Sequence, residues 1–148
     1  MFDIKQSKDP VSTLSIQSET KTGMLMCLHL FQDSSTNNIR LLGGYENGHI
    51  YMWDLKSTKE LCSFQNLHKE PLLCVNTWNR LMISGSAGKE ICITKLDSQE
   101  IVTKHSLTHE GCNCIAIRDD GRIFATGGWD HRVRLFDLKK HKPLGILK

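Results

Sequence analysis

Three segments of this 148-residue chain align without gaps around a glycine, and that repeat constrains the fold more than any other feature. They are Gly43 to Asp54 (GGYENGHIYMWD), Ser84 to Lys95 (SGSAGKEICITK) and Thr126 to Asp137 (TGGWDHRVRLFD). The anchor glycines Gly44, Gly85 and Gly127 stand 41 and 42 residues apart. Nine residues after each glycine comes Trp53, Thr94 or Phe136, and aspartate follows in two cases, Asp54 and Asp137. A second marker recurs in phase, for His68 and His109 are 41 residues apart and each precedes an apolar run. A repeat of this length is one supersecondary unit that cannot bury its apolar face alone, so such units stack.

Each unit divides into four short apolar runs separated by polar or glycine-containing turns. The first holds Met24–Phe31, Arg40–Tyr45, His49–Leu55 and Leu61–Gln65. The second holds Leu72–Trp78, Arg80–Ser86, Glu90–Leu96 and Glu100–Ser106. The third holds Cys112–Arg118, Arg122–Gly128, Arg132–Leu138 and Pro143–Leu147. Within the third run of each unit, Ile50 and Met52, Ile91 and Ile93, and Val133 and Leu135 share one face at a period of two, which is the strand period. Asn47-Gly48 and Asp120-Gly121 supply turn chemistry that tolerates positive φ.

A period of about 40–45 residues with a Trp-Asp pair and an upstream histidine resembles the WD repeat. The expected fold is all-β, with each unit a four-stranded antiparallel blade of a propeller. Blades are expected at 21–66, 67–107 and 108–148. Residues 1–20 are expected to be the tail of a preceding blade, with an outer strand at about Val11–Gln17 and Phe2–Ile4 ending the strand before it. Three complete blades and one stray outer strand make an incomplete ring, since closed propellers use about 4–8 blades. Open blade faces are apolar, so the expectation is self-association through them, capping by a partner, or a partial gene product without independent function that needs further blades to fold.

WD repeats can link a histidine, a second-strand Ser or Thr, a turn aspartate and a third-strand tryptophan by hydrogen bonds, because a buried imidazole and indole N–H need partners. Here that set is incomplete. The third unit offers His109, Thr126 and Asp130, with Phe136 in place of tryptophan. The second offers His68 and Ser84, with Gly88 and Thr94 at the other places. The first offers Asn47 and Trp53, with Gly43 in place of the hydroxyl residue. A partial network is expected, fullest in the third unit. Tyr45 and Trp129 lie in or beside the loops after the second runs, where aromatic side chains can anchor a partner or pack on neighbouring loops.

Other chemistries fail on spacing or context. SGSAGKE is not a phosphate loop, because Gly85 and Gly88 are two residues apart and Glu90 follows Lys89. His105, His109, Cys112 and Cys114 are zinc-capable types, but the strand and repeat positions already account for three of them. Ser84 and His68, with Asp97 as a third group, lack a nucleophile elbow. Lys139, Lys140 and Lys142, near Arg132 and Arg134, fall in or beside a hairpin turn, and a net charge of +3 is too mild for a nucleic-acid surface. No enzyme, cofactor or metal is expected. No apolar run approaches the ~18 residues of a membrane span, and the first ten residues hold no apolar leader core. The six cysteines lie in or beside apolar strand-like runs, which favours buried, reduced thiols in the cytoplasm or nucleus over a disulfide framework.

The stretches Gly23–Phe31, Leu41–Leu55, Ile83–Lys89 and Ala125–Phe136 resemble one WD-repeat family, the guanine nucleotide-binding protein beta-subunit-like protein one group and its fungal ASTRA-associated relatives. The resemblance runs from about Phe2 to Lys148. It implies a seven-bladed, non-catalytic propeller. It also implies protein partners in the co-chaperone machinery that matures phosphatidylinositol-kinase-like kinases, and in fungi a chromatin-linked complex. G-protein signalling is not implied.

Overall fold

The computed structural model describes residues 13–16 and 21–148. Every regular element among them is a strand: β1 Leu25–Gln32, β2 Ile39–Tyr45, β3 Ile50–Asp54, β4 Lys59–Phe64, β5 Leu72–Trp78, β6 Leu81–Ser86, β7 Glu90–Lys95, β8 Ile101–Ser106, β9 Cys112–Ile117, β10 Ile123–Gly128, β11 Val133–Asp137 and β12 Lys142–Leu147. They form three antiparallel meanders in chain order, β1–β4, β5–β8 and β9–β12. These are consecutive WD-type blades of an open arc rather than a closed ring.

Of the N-terminal strands expected from sequence, Phe2–Ile4 lies outside the described residues. Residues 13–16, the described part of Val11–Gln17, are not a strand. No strand pairs beside them among the described residues, and an isolated strand is not stable in water. The Ser15 carbonyl instead accepts a hydrogen bond from the Trp53 indole at 3.1 Å.

The repeat is exact down to its irregularities. The pairing of each third strand with its fourth slips at Met52/Trp53, Ile93/Thr94 and Leu135/Phe136, just where the tryptophan position falls. Each of these bulges increases the local twist. The aspartate of the Trp-Asp pair then caps the next turn. Asp54 Oδ1 accepts the Ser57 N–H at 2.9 Å, and Asp137 Oδ1 accepts the Lys139 and Lys140 N–H groups at 2.9 and 2.8 Å. The fourth residue after each position has positive φ: Thr58, Gln99 and His141.

Alternation decides which face each residue fills. Leu42, Ile50, Met52 and Phe64 of the first sheet pack with Leu72, Val75 and Met82 of the second. Ile83, Ile91 and Ile93 of the second pack with Cys112, Phe124 and Phe136 of the third. Two cores therefore hold three sheets, and β5 contacts both β1 and β9. Close approach of these first strands depends on the anchor glycines. A Cβ on Gly44 would lie 2.0 Å from Leu72 Cδ2, and one on Gly85 would lie 2.5 Å from Cys112 Sγ. A Cβ on Gly127 would meet only Cys114 Sγ, because no sheet covers that side among the described residues.

Two apolar faces stay open. Leu28 and Leu30 on β1 are 57% and 60% exposed, and Val133 on β11 is 41% exposed. At the first face the Ser15 segment meets Trp53, and Trp53 and Tyr51 are buried.

Candidate functional site

The links between sheets and the loops after second strands gather at one edge, and backbone bonds cross-tie them. Ala87 N–H donates to Pro71 O at 2.8 Å, Leu107 N–H to Lys89 O at 2.7 Å, Gly111 N–H to Gly88 O at 3.1 Å, and Trp129 N–H to Gly111 O at 3.0 Å. A loop edge held this way is a preformed surface, as recognition by a rigid scaffold requires.

Trp129 follows β10 directly and is 54% exposed. Its indole lies on Gly111, whose φ is +82° and whose Cβ, if it had one, would lie 2.1 Å from the ring. Gly111 thus serves twice: it turns the chain and leaves the space the ring occupies. Beside Trp129 opens a cavity of about 480 Å³ lined by His68, Glu70, Gly88, Lys89 and Glu110 among others. Lys89 and Glu110 face each other at 4.0 Å across the loops and are both more than half exposed, so they contribute little to stability. The chemistry offered is an exposed indole beside a polar cleft.

Tyr45 belongs to the same edge but is placed differently. It ends β2, is partly buried, and meets the buried Tyr51 ring edge-on at 5.4 Å. Burial, and then the neighbouring Tyr51, raises its phenol above the ordinary value. Its ring is largely committed to packing, whereas that of Trp129 is largely presented.

The residues expected to form the repeat network fall into three arrangements. In the second sheet His68 Nε2 and Ser84 Oγ are 2.8 Å apart and both side chains are buried. Burial, with the Lys104 charge in second place, lowers the His68 imidazole to about 4. Lys104 Nζ donates to Leu67 O at 2.8 Å and meets Glu90 at 3.1 Å, which fixes the link that carries His68. Thr94 stands where tryptophan would, fully buried.

The third sheet departs from expectation. His109 is exposed, its Nδ1 lying 3.0 Å from Thr108 Oγ1 and 3.5 Å from Asp130, and it does not reach Thr126. The fullest imidazole–hydroxyl link is therefore in the second unit, not the third. The reason is Arg134, a buried third-strand residue whose guanidinium forks onto Asp130, one bond being 3.1 Å and the other 2.5 Å. Those bonds and the Arg134 charge hold the Asp130 carboxyl at about 2. A bidentate guanidinium is among the strongest partners a carboxylate can have. Thr126 is buried.

In the first sheet Trp53 lies over Gly43, where a Cβ would come 2.9 Å from its ring. Gly43 explains the missing hydroxyl: the indole uses that space and finds its acceptor in Ser15 O instead.

The repeat pattern marks neither Gly111 nor Arg134 as a site residue. Arg134 reads from sequence only as a member of the basic group near Lys139, Lys140 and Lys142, and Gly111 as the glycine opening the third unit.

Among the described residues, no group of three or more His, Cys, Asp or Glu side chains is arranged to hold a metal ion. No helix among them is long and apolar enough to cross a membrane.

Residues 101–137 match the family model described as WD domain, G-beta repeat. That span runs from β8 through β11, so the sequence repeat takes the outer strand of one sheet and the first three of the next. The chain is 40% identical over 146 residues to guanine nucleotide-binding protein subunit beta-like protein 1 of Mus musculus, covering 95% of this chain and 44% of the relative. It is 29% identical to ASTRA-associated protein 1 of Aspergillus flavus, covering 92% of this chain and 36% of that protein. With the protein of the same name in Schizosaccharomyces pombe, identity is 28% over 89% of this chain and 41% of the relative. The chain spans less than half the length of these relatives.

Proposed function

We propose that this WD-repeat chain is a non-catalytic protein-interaction scaffold that binds through the loop edge bearing Trp129. The observation that carries this reading is an indole 54% exposed on a backbone-tied edge, beside a cleft of about 480 Å³. Large aromatic anchors in preformed surroundings carry much of the energy at protein interfaces.

The finer reading is a role in co-chaperone-assisted maturation of phosphatidylinositol-kinase-like kinases and in chromatin-associated assemblies, in the cytoplasm or nucleus. It rests on likeness to proteins named ASTRA-associated protein 1 and on the WD-repeat architecture. Affinity capture of the tagged chain from cells, read by mass spectrometry, tests it. Co-purification of a kinase-family co-chaperone that dissociates at no more than moderate salt supports the assignment. Capture of an unrelated set of proteins overturns it.

A second reading is that the three sheets fold and act only with further blades. The open faces at Leu28, Leu30 and Val133 favour it. The solution mass and unfolding behaviour of this chain distinguish the two.

A further inference from the structure

The seam between the second and third sheets holds two thiols in contact. Cys74 Sγ on β5 and Cys112 Sγ on β9 are 3.8 Å apart, and both side chains are buried. Both sulfurs lie over the α-carbon of Gly85, where an added Cβ would come 2.5 Å from one and 2.9 Å from the other. Because Gly85 has no side chain, nothing stands between them.

We infer that Cys74 and Cys112 are a hydroperoxide-sensitive dithiol that closes to an inter-sheet disulfide. The two thiols have different surroundings, and these assign the roles. Cys74 lies 3.2 Å from the Cys112 carbonyl and 3.9 Å from the Gly85 carbonyl, acceptors that keep it a protonated donor. Cys112 Sγ has a single, longer carbonyl contact, to Cys114 O at 3.9 Å, and the Cys74 thiol at 3.8 Å; the Cys74 thiol first, and the Arg134 charge after it, draw it below the ordinary value against the effect of burial. The thiol with the weaker carbonyl contact, Cys112, is the nucleophile, and its neighbour, held as a donor at 3.2 Å, resolves the product.

The chemistry balances with one equivalent of hydroperoxide. The Cys112 thiolate attacks the O–O bond of hydrogen peroxide, giving the sulfenic acid and hydroxide. Cys74 sulfur then attacks the sulfenic sulfur, the S–O bond breaks, and the Cys74 proton leaves with hydroxide as water. Two thiols are oxidised to one disulfide, and the peroxide is reduced to water. The sulfurs must close from 3.8 Å to about 2.05 Å, the S–S bond length. Cys112 is only 1% exposed, which restricts the oxidant to a small neutral molecule. The bond would staple β5 to β9 directly beneath Trp129, since Gly111, on which that ring rests, precedes Cys112.

The test is to treat the full 148-residue chain with stoichiometric hydrogen peroxide, quench with an alkylating reagent, and map the peptides by mass. The expected result is a loss of about two hydrogens before alkylation and one dominant linked pair, Cys74 with Cys112. Cys74→Ser and Cys112→Ser should each abolish the link, and Cys114→Ser should leave it. A Cys112–Cys114 link, oxidation confined to Cys114, or no disulfide overturns the proposal. So does an identical pairing pattern in concentrated guanidinium, which would show that the fold does not select the pair. The map of the unsubstituted chain decides the matter even if a serine variant fails to fold.

Discussion

His68 is buried, and Ser84 Oγ sits 2.8 Å from its Nε2. An unfolded imidazole takes up a proton near pH 6.5, whereas the folded one does so only at about 4. Between those values the unfolded chain binds more protons, so stability rises with pH there. The contribution is complete above pH 6.5, falls as pH drops through the window, and is gone below about 4, on the order of 3 kcal/mol in all. Urea unfolding at pH 7 and pH 4.5 should show this loss. In His68→Gln the slope should shrink without vanishing, because burial lowers His29, His49 and His105 as well. An unchanged slope in that variant would place the titration elsewhere. The position of His68 was legible from its phase in the repeat. The exposure of His109, in the same phase, was not, because it is decided by Arg134 taking Asp130, a competition in space that spacing along the chain does not encode.

At the scale of the strand, the anchor glycines set how closely neighbouring sheets approach. Gly44 faces the fully buried Leu72, so Gly44→Ala should cost about 1–3 kcal/mol through overpacking. Gly127 faces only Cys114, whose exposed side chain can turn away, so Gly127→Ala should stay within about 0.5 kcal/mol of neutral. Chemical denaturation of the two variants checks the contrast, and equal losses would mean that the glycines serve the backbone rather than the seam. Strand existence and order were readable here because period-two alternation and turn residues recur three times, and the observed boundaries fall within two residues of those read from sequence. The bulges at Trp53, Thr94 and Phe136 were not readable, since a one-residue slip leaves no compositional mark. Nor was the fate of residues 13–16, whose alternation reads as a strand but which have no strand to pair with among the described residues.

Across the whole molecule, three sheets share two cores and leave apolar surface at both ends of the arc. Surface of this kind drives association. Light scattering after size exclusion should therefore give a mass above the 16.8 kDa of one chain, and Leu28→Ser with Leu30→Ser should lower it. A monodisperse single chain that unfolds cooperatively would mean that the ends are self-sufficient. The loop edge makes a separate claim, since its exposed ring stands on backbone-tied loops and not on a blade face. The two surfaces can be told apart by one measurement, the affinity of the captured protein partner for Trp129→Ala and for Leu28→Ser, each with its circular dichroism unchanged. An edge-binding scaffold predicts a loss of about 30-fold or more for Trp129→Ala, as expected for truncating an anchor worth about 2 kcal/mol, and little change for Leu28→Ser. Unaltered affinity in Trp129→Ala together with lost binding in Leu28→Ser would contradict it and place the partner on the open blade face.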